Sequence, residues 1–317
     1  MLKKAIIFPG QGSQVLGMGR DFYENFAEAR EVFELVDDCL NFKLSNVIFG
    51  GSQEDLSKTM NAQPALMCTS VAILRVLQKQ SGKNISELAS ISAGHSLGEY
   101  SALCAVESIS LSDTVKLLKE RGRAMYEAMP NGGAMMACIG LSVAELERMI
   151  DQVLQTNPSN VCQIANDNIL NQIVVSGHAN AIDTLHQLGV GAGAKMIKLK
   201  VSGAFHSRLM LPAEQRMREV LEDVNINEPC IPIISNYDAN VTVDPVEIKE
   251  NLALQICNRV RWRETLDLMR ELGVEEVAEI GGQRVLTGML KNGGYNEFNV
   301  MSISTVEELD AFLAKWG

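Results

Sequence analysis

Residues 94–98 read GHSLG, joining an apolar run at 88–93 to a helical stretch of small, apolar residues at 99–106. A chain with this pattern turns sharply from a buried strand into a helix, and G-x-S-x-G makes that turn with its serine at the tip. The flanking glycines let neighbouring elements approach closely, and the strained turn holds the serine at the edge of a sheet. N–H groups at the start of the new helix face any negative charge that develops beside it. Ser96 is therefore the candidate nucleophile. The bland alternative is a glycine-rich turn whose serine only caps the helix.

A serine hydroxyl needs a base to attack at neutral pH, and the chain offers four histidines. His95 adjoins Ser96, but its side chain leaves the turn in another direction, which suits packing or a supporting hydrogen bond. His178 and His186 read as capping or surface residues of a separate segment. His206, in VSGAFHSRLM, stands at a strand–turn–helix junction where the chain returns from that segment, and such junctions often form clefts. It is the candidate base; otherwise it is a part-buried histidine tying down the junction. No Asp or Glu declares itself as the third member of a triad. A backbone or side-chain carbonyl would equally fix the imidazole tautomer without adding a charge.

Helices alternating with short apolar strands predict an α/β body around a central, mostly parallel sheet. Strands are expected at 4–8, 88–93, 231–235 and 274–281. Helices are expected at 20–40, 63–80, 99–106, 207–224, 251–272, 285–290 and 306–316, with another capped by Ser112. Between them lie predicted strands at 134–139, 161–165, 172–175 and 194–201. Helices at 142–155, opened by the Ser142/Glu145 capping box, and at 179–188 complete a split βαβ order. The expected fold is a large α/β-hydrolase-like domain (1–132 and 203–317) with an inserted small ferredoxin-like domain (133–202). One face of the small sheet is expected to meet solvent, as Lys195, Lys198 and Lys200 would suit.

Lys and Arg number 28 against 39 Asp and Glu, a formal charge of −11, which argues against a general nucleic-acid binder. Seven cysteines, an odd number with no CxxC pair, fit a reducing compartment better than a disulfide framework. With so few histidines and no HExxH, no metal site is expected. No apolar run approaches the ~20 residues of a membrane span, and AIIF is too short for a signal peptide. A cytoplasmic protein without membrane contacts is expected.

Several longer motifs accompany GHSLG: FPGQGSQVLGMG at 8–19, QPAL at 63–66, GHSLGEYSAL at 94–103, KERGRAM at 119–125 and GAFHSRLM at 203–210. Through them the sequence resembles the bacterial malonyl-CoA:acyl-carrier-protein transacylases, and more broadly the acyltransferase domains of polyketide synthases. The resemblance implies transfer of malonyl from malonyl-CoA to the phosphopantetheine thiol of acyl carrier protein, through an ester on Ser96 with His206 as base. It implies an oxyanion hole from the N–H groups of Gln11 and Leu97, and a carbonyl of Gln255 orienting His206. It makes Arg121 the clamp for the free carboxylate, although from the residues alone Arg121 reads as solvated, with Lys119 and Arg123 as rivals. Phe205 matches the malonyl-selective form. A guanidinium suits a dicarboxylic acyl group because it meets carboxylates bidentately and would otherwise lie buried and unpaired.

The family pattern Asn-x-Asn-Ser-Pro-x-Gln becomes NDNILNQ, which keeps Asn166 and Asn168 at an expected cleft rim but replaces Ser-Pro with Ile169-Leu170. Gly282-Gln283 likewise stand where Pro-Gly is common. No tightly bound cofactor is implied, and a monomer is expected. An acidic carrier would need a local basic patch, for which Arg259, Arg261 and Arg263, or the three lysines above, are candidates. The rival readings are a free-standing malonyl transferase serving a polyketide carrier, a serine thioesterase or hydrolase, and a non-enzymatic binding module.

Overall fold

A computed structural model describes residues 3–201 and 203–316. Its innermost strand, β1 (Lys3–Phe8), sends Ile6 and Phe8 into one apolar core and Ala5 and Ile7 into another. A strand that is apolar at both parities needs cover on both faces, which a parallel sheet flanked by helices supplies. After β2 (Ile91–Gly94) come β3 (Gly133–Ile139), β4 (Cys162–Ile169), β5 (Gln172–His178), β6 (Lys195–Lys198), β7 (Ile233–Ile234), β8 (Val241–Thr242), β9 (Val274–Ile280) and β10 (Asn299–Ile303). The six-stranded sheet has the order β10-β9-β1-β2-β7-β8 and is parallel except for the β7–β8 pair. The mostly parallel α/β body is as the pattern predicts.

The four-stranded sheet has the order β4-β5-β3-β6 and its pairs are antiparallel, the ferredoxin-like arrangement. Met136, Cys138 and Val175 pack with Leu146, Ile150, Ile182 and Leu185 of the Val143–Thr156 and Ala179–Gly191 helices. The opposite face carries Met135, Ala165 and Val174 into the main core. That part is not turned to solvent, because it anchors the insert on the larger body, whereas at β6 the sheet does meet solvent as expected, with Lys195, Lys198 and Lys200 exposed.

Several boundaries differ from the periodic reading. The helix expected at 20–40 breaks at Phe26, which is extended (φ −127°, ψ 129°). Ser110, rather than Ser112, caps the Leu111–Ala128 helix, its hydroxyl accepting from the N–H of Asp113 at 3.1 Å. Asn84 starts a short helix, Ile85–Leu88, so β2 begins later than residue 88. β6 is shorter than the expected 194–201. β10 was not anticipated: its sequence, NVMSI, is only partly buried apart from Ile303 and lacks a strong alternation. The expected 251–272 helix is two helices, Pro245–Leu254 and Trp262–Glu271. That last break builds part of the site.

Candidate active site

β2 ends at Gly94, and Ser96 sits at the tip of the turn with φ 54°, a left-handed conformation costly for a residue with a Cβ. The two glycines make the turn possible. A Cβ on Gly94 would lie 1.9 Å from the carbonyl oxygen of Gly98, and one on Gly98 would lie 2.3 Å from that of Phe8. Asn236, just past β7, holds the turn: its Oδ1 accepts from Ser96 N at 2.6 Å and its Nδ2 donates to Gly94 O at 2.7 Å. Leu97 then leads into the Gly98–Ala105 helix.

His206 also has a left-handed backbone, φ 55°, and is 4% exposed. Its Nε2 lies 2.8 Å from Ser96 Oγ, and its Nδ1 lies 2.9 Å from the backbone oxygen of Gln255. A carbonyl can only accept, so Nδ1 carries the proton and Nε2 presents its lone pair to the serine hydroxyl. The helix break explains the free carbonyl. In an unbroken helix the Gln255 oxygen would accept an N–H four residues later; as the terminal residue after Leu254 it is available to the imidazole. Burial, and then the charge of Arg121, depress the His206 pKa to about 3, so the ring is neutral at physiological pH.

Arg121 lies on the Leu111–Ala128 helix, yet it is 1% exposed. Gly122 lets that helix approach the Thr59–Ser81 helix so closely that a Cβ would meet the Met60 backbone at 2.9 Å. In the resulting seam, Arg121 Nη1 donates to Gln63 Oε1 at 2.7 Å, and Nη2 donates to Gln255 Oε1 at 2.7 Å and to Ser96 Oγ at 3.1 Å. Its Nε has no partner among the described residues. The rivals lie elsewhere: Lys119 donates to the Leu40 carbonyl, and Arg123 pairs with Glu120. Among the described residues the guanidinium is thus a buried cation in contact with neutral acceptors only.

Gln11 follows β1 in a turn packed on the elbow, where a Cβ on Gly10 would sit 2.5 Å from His95 O. Its Oε1 accepts from the Thr59 hydroxyl at 2.9 Å. Among the described residues the N–H groups of Gln11 and Leu97 make no hydrogen bond. Phe205, 6% exposed, packs in the main core beside His206. Among the described residues no three His, Cys, Asp or Glu side chains are grouped to hold a metal ion, and no helix is long and apolar enough to cross a membrane.

Comparison with known proteins agrees with this geometry. Residues 5–309 match the acyl transferase domain family. The chain is 43% identical to the malonyl CoA-acyl carrier protein transacylase of Bacillus subtilis over 92% of its own length and 90% of the relative's. It superposes on the acyl-carrier-protein-S-malonyltransferase of Bartonella henselae with a TM-score of 0.95 and 44% identity, covering 100% of both chains. It also superposes, with a TM-score of 0.93 and 36% identity over 98% of this chain and 99% of the other, on a malonyl-transacylase solved in complex with a type II PKS acyl-carrier protein.

The chain belongs to the acyl transferase family.

Within this acyl transferase, the two expected rim asparagines take a different place. Asn166 and Asn168 lie within β4, not in a rim loop, and are 7% and 4% exposed. Asn168 Oδ1 accepts from His95 Nε2 at 2.8 Å, and the backbone of Asn166 bridges to Val260. Their strand is longer than expected because β4 stays paired with β5 as far as Ile169↔Gln172, and its other edge is joined to the 255–261 segment, where Asp167 N donates to Val260 O and Val260 N to Ala165 O. The Ile169-Leu170 departure divides between environments. Ile169 is buried among Leu286, Leu290 and Tyr295, whereas Leu170 is 67% exposed at the hairpin turn. The arginine patch is also depleted, since Arg263 pairs with Asp167 and Asp267, and Arg261 with Glu264. Lys198 pairs with Asp183.

Four polar residues at this acyl transferase site were assigned no role from the sequence: Asn236, Gln63, Gln163 and Glu99. Gln163 Nε2 donates to the carbonyls of His206 and Cys257 at 3.4 and 3.3 Å. Glu99, 1% exposed, accepts at Oε2 from Gln255 Nε2 at 2.6 Å and from Asn236 N at 3.1 Å. Two of them carried a signal: Gln63 opens the motif QPAL, and Glu99 is a lone carboxylate opening an otherwise small, apolar helix.

Proposed function

We propose that this acyl transferase moves a malonyl group from malonyl-CoA to the phosphopantetheine thiol of an acyl carrier protein, through an ester on Ser96. One observation carries the reading. The hydroxyl oxygen that faces the His206 lone pair also accepts from Arg121, a buried guanidinium with no carboxylate in contact among the described residues. A dicarboxylic acyl group supplies the missing anion at the distance of a short acyl chain from the nucleophile, and an acetyl or fatty acyl group does not.

In the first half-reaction Ser96 Oγ bonds to the thioester carbon as its proton passes to His206 Nε2. The N–H groups of Gln11 and Leu97 receive the oxyanion. The carbon–sulfur bond then breaks, and Nε2 returns the proton to the departing CoA sulfur. In the second half the carrier thiol gives its proton to Nε2, attacks the ester, and Ser96 leaves with the proton. Both halves exchange one thioester–ester pair, so control rests on positioning and on excluding water. A neutral carbonyl behind His206, in place of a carboxylate, leaves the imidazolium without a direct counter-charge. That favours a waiting acyl-enzyme over one that rapidly activates water, and speaks against the hydrolase reading. Phe205 beside the base limits room for a branched acyl group, an effect of about 1–3 kcal/mol per methyl.

Intact-mass analysis after incubation with malonyl-CoA tests the reading. One malonyl adduct is expected on the wild-type chain and none on Ser96→Ala; an unmodified wild type in a folded sample overturns it. A second reading has the polyketide carrier as acceptor, favoured by the likeness to the malonyl-transacylase solved with a type II PKS carrier. A panel of purified fatty-acid and polyketide carriers separates the two by rate. Our reading also takes the enzyme as a cytoplasmic monomer, with 1–132 and 203–317 forming the catalytic body and 133–202 the smaller domain. Sedimentation velocity tests the monomer, for which a single species at 34.7 kDa is expected.

A further inference from the structure

Gln255 has two tasks on two different groups. Its backbone oxygen holds His206, while its side-chain amide stands between Arg121 and Glu99. The amide is fully used: Nε2 donates to Glu99 Oε2 at 2.6 Å and to Ser96 O at 3.0 Å, and Oε1 accepts from Arg121 Nη2 at 2.7 Å. An amide can be turned over, exchanging its donor and acceptor ends, unless its neighbours forbid it. On the Arg121 side the demand is for an acceptor. On the other side Glu99 supplies an acceptor that, when ionised, cannot donate, and it is held there by the N–H of Asn236 at 3.1 Å.

We propose that Glu99 is a positioning residue for malonyl selection: it fixes which end of the Gln255 amide faces Arg121, and so aims the guanidinium at the acyl pocket. The inference rests on the reading of Arg121 as the clamp for the malonyl carboxylate. Without an acceptor at position 99, the amide loses its shortest contact, and only the Ser96 carbonyl and the Arg121 donors still oppose a turned amide. A turned amide sets two N–H donors against the donors of the guanidinium. Arg121 then shifts toward Gln63, its remaining amide partner, and away from the position that meets an incoming carboxylate. Glu99 also serves, when ionised, as a buried counter-charge to Arg121, one amide removed, which leaves the cation free of a direct ion pair that a substrate carboxylate would have to break.

The alternative is that Glu99 only braces the elbow through Asn236. The two roles separate by substrate. A weakened elbow slows every acyl group alike, whereas a misaimed Arg121, although it also touches Ser96 Oγ, slows most those with a free carboxylate. The experiment compares the rates at which malonyl-CoA and acetyl-CoA acylate Ser96, followed by intact mass, in wild type, Glu99→Gln, Glu99→Met, Glu99→Asp and Arg121→Ala. Glu99→Met should lower the malonyl-to-acetyl ratio by about tenfold or more, through a raised KM for malonyl-CoA more than a lowered kcat. Glu99→Asp keeps a carboxylate but draws it back by one methylene, and should lower the ratio at least about threefold. Glu99→Gln, whose oxygen can accept from both neighbours, should recover most of the ratio. A folded Glu99→Met or Glu99→Asp protein with the wild-type ratio overturns the proposal, and the Asp variant decides the matter if Met prevents folding. Arg121→Ala separates the levels of failure. If that variant keeps the malonyl preference, the clamp reading itself is wrong; if it loses the preference while the Glu99 variants keep it, only the positioning role is wrong.

Discussion

The two halves of the site are built in different ways. The Ser96 side is a continuous stretch of chain: β2, a turn and the next helix, with glycines placed where backbones nearly touch. The His206 side is assembled from segments far apart in sequence, namely the turn at 203–207, the broken helix end at Gln255 and the buried face of the Leu111–Ala128 helix. The local half is specified by sterics, and a wrong atom there meets the main chain. The assembled half is specified by hydrogen bonds, each of which adds roughly 1.5–3 kcal/mol when charge is involved. The first should therefore fail by unfolding and the second by losing chemistry.

The largest effect should come from breaking the local half. Gly98→Val places side-chain atoms where even a Cβ is 2.3 Å from Phe8 O, at the centre of the six-stranded sheet. Loss of several kcal/mol is expected, read as an insoluble product or a large fall in melting temperature. A normal melting curve would mean that the elbow is not steric in origin. His206→Ala should behave oppositely, with acylation of Ser96 slowed by about 10²–10⁴-fold in a protein that still melts cooperatively. Stopped-flow release of CoA measures the first, and circular dichroism the second. Gln255→Ala sharpens the contrast inside one residue, because it deletes the amide but keeps the backbone oxygen on His206. It should reduce malonyl acylation by about tenfold while reducing acetyl acylation much less. Equal loss for both would place the histidine, rather than Arg121, at the end of that amide.

The same division explains what could be read from the residues. Ser96 was legible because its geometry is encoded by neighbours, and the β-α pattern around it gave the fold class. His206 stood out by its place at a junction, since only four histidines compete. The remaining contacts depended on events with no local signature. Periodicity carried a helix straight through 251–272, and nothing in LQICNRVRW announces that the chain stops bonding to itself at Gln255. Arg121 sits among Lys119, Glu120 and Arg123, so its burial is decided by Gly122 and the helix opposite. Asn168 fell on a strand, where the sequence suggested a loop, because β4 keeps pairing with β5 to Ile169↔Gln172 and is joined on its other edge at Asn166 by Val260, a partner about ninety positions away.

Titration offers the smallest and most selective test of the difference. His206 and Glu99 are both buried, and their pKa values move in opposite directions. Burial and Arg121 lower His206 from 6.5 to about 3. Burial raises Glu99 from 4.5 to about 7, against the hydrogen bonds from Gln255 and Asn236. A group with a depressed histidine pKa binds fewer protons folded than unfolded, so the folded state gains stability as pH rises from about 3 to 6.5. A carboxyl with a raised pKa binds more protons folded, so stability falls as pH rises from 4.5 to about 7 and the deficit is fully present above that. Glu99→Gln removes only the second effect. Its melting temperature relative to wild type should therefore climb through that window and then level off, while the His206 ring, followed by NMR, stays neutral from pH 5 to 8 in both proteins. A difference that is flat with pH would mean that Glu99 titrates as an ordinary carboxylate, its charge already accommodated by the donors around it.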